Sequence, residues 1–141
     1  MIDIKWIREN PQQLDNALKR RFAEPMSDKI LDLDSRRRAL MTDMQTLQNR
    51  RNEVSKQIGQ AKASGQEPED LLSEMQDLGP KLKKAQEQVK ELDASLYDIL
   101  TALPNVPAAD VPEGEDDTQN KEMRQWGEIR DIENPKAHYE L

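Results

Sequence analysis

Residues 71–103, LLSEMQDLGPKLKKAQEQVKELDASLYDILTAL, decide the fold. Read in alternating steps of three and four, Leu71, Met75, Leu78, Leu82, Ala85, Val89, Leu92, Leu96, Ile99 and Leu103 form an unbroken apolar record. A period near 3.5 residues keeps one narrow stripe turned toward a partner helix, which is the seam of a left-handed coiled coil. The same steps upstream read Ile30, Leu33, Arg37, Leu40, Met44, Leu47, Arg51, Val54, Ile58 and Ala61. Only a few residues around Ser64-Gly65-Gln66 separate the two stripes, so each helix has the other as its nearest partner, folded back antiparallel. The expected fold is all-α: a long antiparallel two-helix coiled-coil arm, or helical hairpin, with a short N-terminal helical cap and an extended C-terminal connector. Arg37 and Arg51 occupy seam positions, where their alkyl stems pack while the guanidinium groups lean out to solvent or to a carboxylate on the other helix.

Composition fits a thin arm. The 141 residues are 35% hydrophobic and 35% charged, and the aromatics are Trp6, Phe22, Tyr97, Trp126 and Tyr139. That is too little large apolar volume for a conventional globular core. No stretch is long and apolar enough for a membrane span, and the N-terminus lacks a basic-then-apolar signal pattern. The absence of cysteine excludes disulfides and thiolate metal sites. A cytoplasmic protein without a membrane partner is the default expectation.

Residues 1–103 read as the arm and 104–141 as a linker with the start of a further domain. Within the arm, 1–25 read as cap helices. Asp3 caps a short helix bearing Ile4 and Ile7, and Asn10 followed by Pro11 opens a second with Leu14, Leu18 and Phe22 on one face. That face needs a surface, and the base of the arm is the nearest. The first arm helix is expected over 27–64, capped by Ser27 and about 55 Å long at roughly 1.5 Å per residue. The second is expected over 68–103, with Glu67, Glu69 and Asp70 at its positive end. Gly79-Pro80 interrupts it chemically, since proline lacks the N–H that would reach the Gln76 carbonyl. Leu78 and Leu82 nevertheless keep phase, so the expectation is a kink and not a loop. After Leu103, three prolines within nine residues rule out helix. Residues 104–120 read as an extended acidic connector, and Lys121–Arg130, with Met123, Trp126 and Ile129, as a short strand or ordered segment. The end at Leu141 follows no stop signal, which suits a piece of a longer protein.

The formal charge of −7 is unevenly spread. Segments 1–66, 67–103 and 104–141 carry +4, −5 and −6. Between 36 and 62, Arg36, Arg37, Arg38, Arg50, Arg51, Lys56 and Lys62 face only Asp43 and Glu53. Such a local field binds phosphate although the whole chain is acidic. From charge alone, a solvated coiled-coil flank is the plainer reading. His138 is the sole histidine, and Glu115-Asp116-Asp117 lacks the glycine and ligand spacing of a calcium loop. Neither a phosphate-cradling loop nor a nucleophile elbow occurs. No catalytic, cofactor-binding or metal site is expected in these residues.

Three stretches resemble one family. Met1-Ile2-Asp3-Ile4-Lys5-Trp6-Ile7-Arg8-Glu9-Asn10-Pro11 is similar to the opening of seryl-tRNA synthetase, a class II aminoacyl-tRNA synthetase of bacterial type. Arg51-Asn52-Glu53-Val54-Ser55-Lys56-Gln57-Ile58-Gly59 resembles that family's Arg-Asn-x-x-Ser-Lys-x-Ile-Gly signature. Leu103-Pro104-Asn105-Val106-Pro107, Asp110-Val111-Pro112, Glu113-Gly114, Asn120 and Trp126-Gly127 resemble its hinge into the catalytic domain. The resemblance implies an N-terminal arm that grips tRNA(Ser) across its long variable stem and elbow. It also implies a parent serine–tRNA ligase, usually a homodimer, that uses ATP and magnesium in a C-terminal catalytic domain lying beyond Leu141. Alone, this chain is then inactive. Arg50 stands where the family often has Glu, and Pro80 interrupts a helix that is usually continuous.

A rigid rod with spaced cations measures an RNA stem by its phosphates and 2′-hydroxyls without reading sequence. Arg50, Lys56, Lys62, Lys81, Lys83 and Lys84, off the seam and near the free end, are the distal candidates for tRNA contact. Arg36 and Arg38, nearer the base, are secondary ones. The alternative is a helical-hairpin spacer or protein-interaction module that uses the same seam and binds no RNA.

Overall fold

The computed structural model describes residues 1–128 and 131–140. Four α-helices follow in order: α1 (Ile4–Glu9), α2 (Pro11–Lys19), α3 (Ser27–Ala63) and α4 (Glu69–Ala102). Among the described residues there is no strand. The residues of α3 and α4 that pair across the arm run in opposite directions: Arg37 meets Asp93 and Arg50 meets Glu74. The two long helices are therefore antiparallel, as the heptad record requires. Along the seam Ile30, Val54, Leu78, Leu82, Ala85, Leu92 and Leu96 are buried. Arg37 leans onto Asp93, whereas Arg51 stays exposed.

The helical caps are less local than the sequence suggests. Asp3 does cap α1, accepting from the Lys5 N–H at 2.8 Å. Asn10 holds the expected position before Pro11, but its amide turns back and donates to the Trp6 carbonyl at 3.0 Å, closing α1 and not opening α2. Ser27 is the first residue of α3 and not its cap. That role falls to Asp15 of α2, whose Oδ1 accepts from the N–H groups of Met26 and Ser27, both at 3.0 Å, while Oδ2 accepts from Ser27 Oγ. A carboxylate from one helix thus satisfies the free donors of another.

Phe22 is a second correction. Helix α2 stops at Lys19, and Phe22 is 64% exposed at φ 56°. The Phe22 N–H donates to Lys19 O and the Ala23 N–H to Leu18 O, the paired bonds of a Schellman stop with Phe22 at the left-handed position. Helix α3 ends the same way, with Gly65 at φ 76° and bonds from Gly65 to Lys62 and from Gln66 to Ala61. Glycine suits that conformation and phenylalanine does not. Phe22→Gly is expected to stabilise the fold by up to about 1 kcal/mol and Gly65→Ala to cost about 1 kcal/mol, measured by urea unfolding. A Phe22→Gly variant no more stable than wild type, together with a Gly65→Ala variant as stable as wild type, would mean that neither turn is strained as described.

The core lies where cap and arm meet. Ile7 of α1, Leu14 and Leu18 of α2, Ile30 of α3 and Leu96 and Leu100 of α4 form one buried cluster, with Trp6, Met26, Leu33 and Leu103 packed around it. Arg8 of α1 reaches the buried carboxylate of Asp34 at 3.1 Å, which joins cap and arm by charge as well. Helix α4 runs through Pro80 without a break, its phase held by the buried Leu78 and Leu82.

Residues Met1–Val111 make one compact unit, in which the stretch 104–111 is tied to the end of α2 because Arg20 donates to the carbonyls of Ala108 (3.5 Å) and Val111 (2.6 Å). The second unit begins at Pro112. Within it Asp116 caps a 3-10 turn over Asp117–Gln119, accepting from the N–H and hydroxyl of Thr118. Residues 121–128 form no strand, and Trp126 is 96% exposed. Among the described residues there is no second strand to complete a ladder. Ile129 and Arg130 of that expected segment lie outside the described residues.

Candidate functional site

The cations that the sequence singles out divide into engaged and open groups. Arg50 projects across the arm and forms a two-pronged pair with Glu74, Nε to Oε1 at 2.6 Å and a terminal nitrogen to Oε2 at 2.9 Å. Its other terminal nitrogen lies 3.3 Å from Glu53 one turn along α3. The hydrogen bond from Arg50 holds the Glu74 carboxyl below its usual range, with the charges of Arg50 and Lys81 adding to the effect against partial desolvation. The same contact raises Arg50 above its ordinary value. Arg50, one of the distal candidates for tRNA contact, is therefore also a brace between the two helices. The sequence signal was present in Glu74, but the pairing needs the registry of the hairpin.

Arg36 lies 3.6 Å from Asp32 one turn back, both side chains well exposed. Arg38, Lys56, Lys62, Lys81, Lys83 and Lys84 are exposed and make no ion pair among the described residues. These six stay open to a phosphate partner. They are not on one line: on α4, Lys81 and Lys84 are three residues apart and share a side, whereas Lys83 lies well round the helix from Lys81.

Amide side chains add a feature the charge count missed. Gln45 Nε2 donates to Asn49 Oδ1 at 2.9 Å, and Gln48 Nε2 donates to Asn52 Oδ1 at 3.1 Å. Each pair leaves the Gln oxygen as an acceptor and the Asn nitrogen as a donor toward solvent. Thr42 and Thr46 bond back to the carbonyls of Arg38 and Thr42. The middle of α3 thus displays ordered neutral hydrogen-bonding groups between Arg38 and Lys56.

No three His, Cys, Asp or Glu side chains converge on a metal-sized site among the described residues. His138 is exposed in a 3-10 turn, edge-on to Tyr139. No helix among the described residues is long and apolar enough to cross a membrane.

Comparison with known proteins supplies a family. Residues 1–107 match the profile of the seryl-tRNA synthetase N-terminal domain. The chain is 47% identical to a serine–tRNA ligase of Rhodospirillum centenum over its whole length, which is 33% of that protein. It is 39% identical to a serine–tRNA ligase of Clostridium tetani, again over its whole length and 34% of the relative. The crystal structure of seryl-tRNA synthetase from Pyrococcus horikoshii complexed with ATP superposes on 90% of this chain and 29% of its own, with a TM-score of 0.79 at 32% identity. The chain spans about a third of the length of the curated relatives it matches.

Proposed function

The chain belongs to the seryl-tRNA synthetase N-terminal domain family, and from that premise we propose that it is the tRNA-binding arm of a serine–tRNA ligase. Its substrate is tRNA(Ser), held by the long variable stem and elbow through shape and phosphate contacts. The parent attaches serine with ATP and magnesium in a C-terminal catalytic domain, works in the cytoplasm and is a homodimer. The observation that carries this reading is a helical hairpin of the matched family whose first long helix has more cations than acids in a chain of net charge −7.

Arg38, Lys56, Lys62, Lys81, Lys83 and Lys84 are the proposed phosphate contacts, with Arg36 and Arg50 held back by Asp32 and by Glu74 and Glu53. Binding of this chain to tRNA(Ser), beside the same tRNA with its variable stem cut short, is expected to depend on the stem. It is also expected to weaken linearly in log affinity against log salt. A flat salt response would favour a spacer or protein-binding module, whose apolar docking responds little to salt.

Glu74→Gln releases Arg50 and removes one negative charge. It is expected to tighten RNA binding several-fold at low salt and to steepen the salt slope by about one. An unchanged slope would remove Arg50 from the set of latent contacts.

A further inference from the structure

Helix α3 has a line along its surface that faces away from the seam. At 3.6 residues per turn, Arg38, Thr42, Gln45, Asn49, Asn52 and Lys56 all fall within about 40° of it. All six are exposed. None is acidic, a cation stands at each end, and the two ends lie about 27 Å apart at roughly 1.5 Å per residue. The nearest acid, Glu53, is drawn aside by Arg50 at 3.3 Å and by Gln57 Nε2 at 3.1 Å. Over the stretch facing it, the outer line of α4 has the opposite character, with Glu69, Glu87 and Glu91 against Lys84 alone. The two outer faces of the arm are therefore not equivalent to a polyanion.

Gly59 supplies a second, independent observation. It sits in the interior of a helix, where glycine is unfavourable relative to alanine. A Cβ placed on it meets nothing within 4 Å, and it needs no positive φ. Nothing inside this chain calls for glycine there. Gly79 in α4 differs, because it precedes Pro80 and relieves the clash a side chain would make with the proline ring. An exposed mid-helix glycine beside the amide line is what a close-approaching partner backbone requires.

We propose that an RNA duplex docks on this outer line of α3, with its shallow minor groove against the amides, and that α4 faces away from it, which narrows the phosphate contacts to the α3 members of the set above and leaves out Lys81, Lys83 and Lys84. The inference rests on the tRNA-binding reading above and adds which face binds and by what chemistry. A 2′-hydroxyl is both donor and acceptor, and the free Gln oxygens and Asn nitrogens of the paired amides match it. Arg38 and Lys56 then meet phosphates at the two ends, and Gly59 lets a sugar-phosphate strand approach the helix backbone.

The test uses this 141-residue chain with tRNA(Ser) and with the same tRNA carrying 2′-deoxy sugars in the variable stem. Wild type is expected to bind the deoxy form at least fivefold more weakly, and an Asn49→Ala/Asn52→Ala variant is expected to bind both forms alike within twofold. Gly59→Leu is expected to weaken binding tenfold or more while raising the melting temperature. Ser73→Leu, an apolar addition on the exposed outer side of α4 beside Glu74 and so at the level of Arg50, is expected to change binding less than twofold. Equal binding of ribose and deoxy stems by wild type, or a loss with Ser73→Leu and none with Gly59→Leu, overturns the assignment and leaves the arm's RNA role standing. Absence of wild-type binding to the unmodified tRNA overturns both.

Discussion

Ile30→Ala is expected to lower the unfolding free energy of this chain by about 2–5 kcal/mol, the range for an aliphatic side chain removed from a closed core. Ile30 is fully buried and belongs to the cluster that joins Ile7, Leu14 and Leu18 of the cap to Leu96 and Leu100 of the return helix. Removing it opens a cavity lined by four helices, and none of them can close over it without losing its own contacts. The comparison is Leu47→Ala, half-buried on the two-helix seam, where solvent already reaches part of the side chain. There the loss should fall at or below about 2 kcal/mol, since less area leaves water to begin with. Urea denaturation of the two variants decides the matter. Equal costs would mean that the cap is not anchored through Ile30.

The second large effect concerns Asp15. Its carboxylate is the cap of α3 and serves three donors, so Asp15→Ala is expected to cost about 1–2 kcal/mol at neutral pH. Burial disfavours its charged form, but the hydrogen bonds from Ser27 and Met26 outweigh that and hold the carboxyl below its ordinary 3.8. The folded state therefore binds this proton less readily than the unfolded chain does. Its contribution is complete above pH 3.8 and is lost as pH falls from there through the lowered folded value. The difference in stability between wild type and Asp15→Ala should accordingly be constant from neutral pH down to about 5 and shrink below about 4. Asp15→Asn keeps an acceptor oxygen and should cost less than Asp15→Ala. A wild-type advantage that persists undiminished at pH 2 would show that the charge is not what caps the helix.

These two positions mark how far reading residues in order reaches. Ile30 opens the first heptad record and is legible as seam from its spacing with Leu33. Asp15 is one polar residue on a short helix, and nothing in its neighbourhood announces that it serves a helix twelve residues later. The cations show the same division. Arg38, Lys56 and Lys62 stand open as their off-seam positions imply, while Arg50, chosen on the same grounds, is engaged by Glu74 on the other helix. The amides at Gln45, Asn49 and Asn52 are neutral and leave no mark on a charge count.

Periodicity alone determined that this chain is an antiparallel helical hairpin with a cap at its base, because burying a stripe that repeats every 3.5 residues has one economical solution when a glycine turn lies at its midpoint. Motif spacing pointed to the family that the matches then established. Only the tertiary structure decided which carboxylate meets which cation and which helix end is capped from afar. Those outcomes depend on the registry between α3 and α4 and on how the cap seats against them. Registry is set jointly by all the seam contacts and appears in no single stretch of residues.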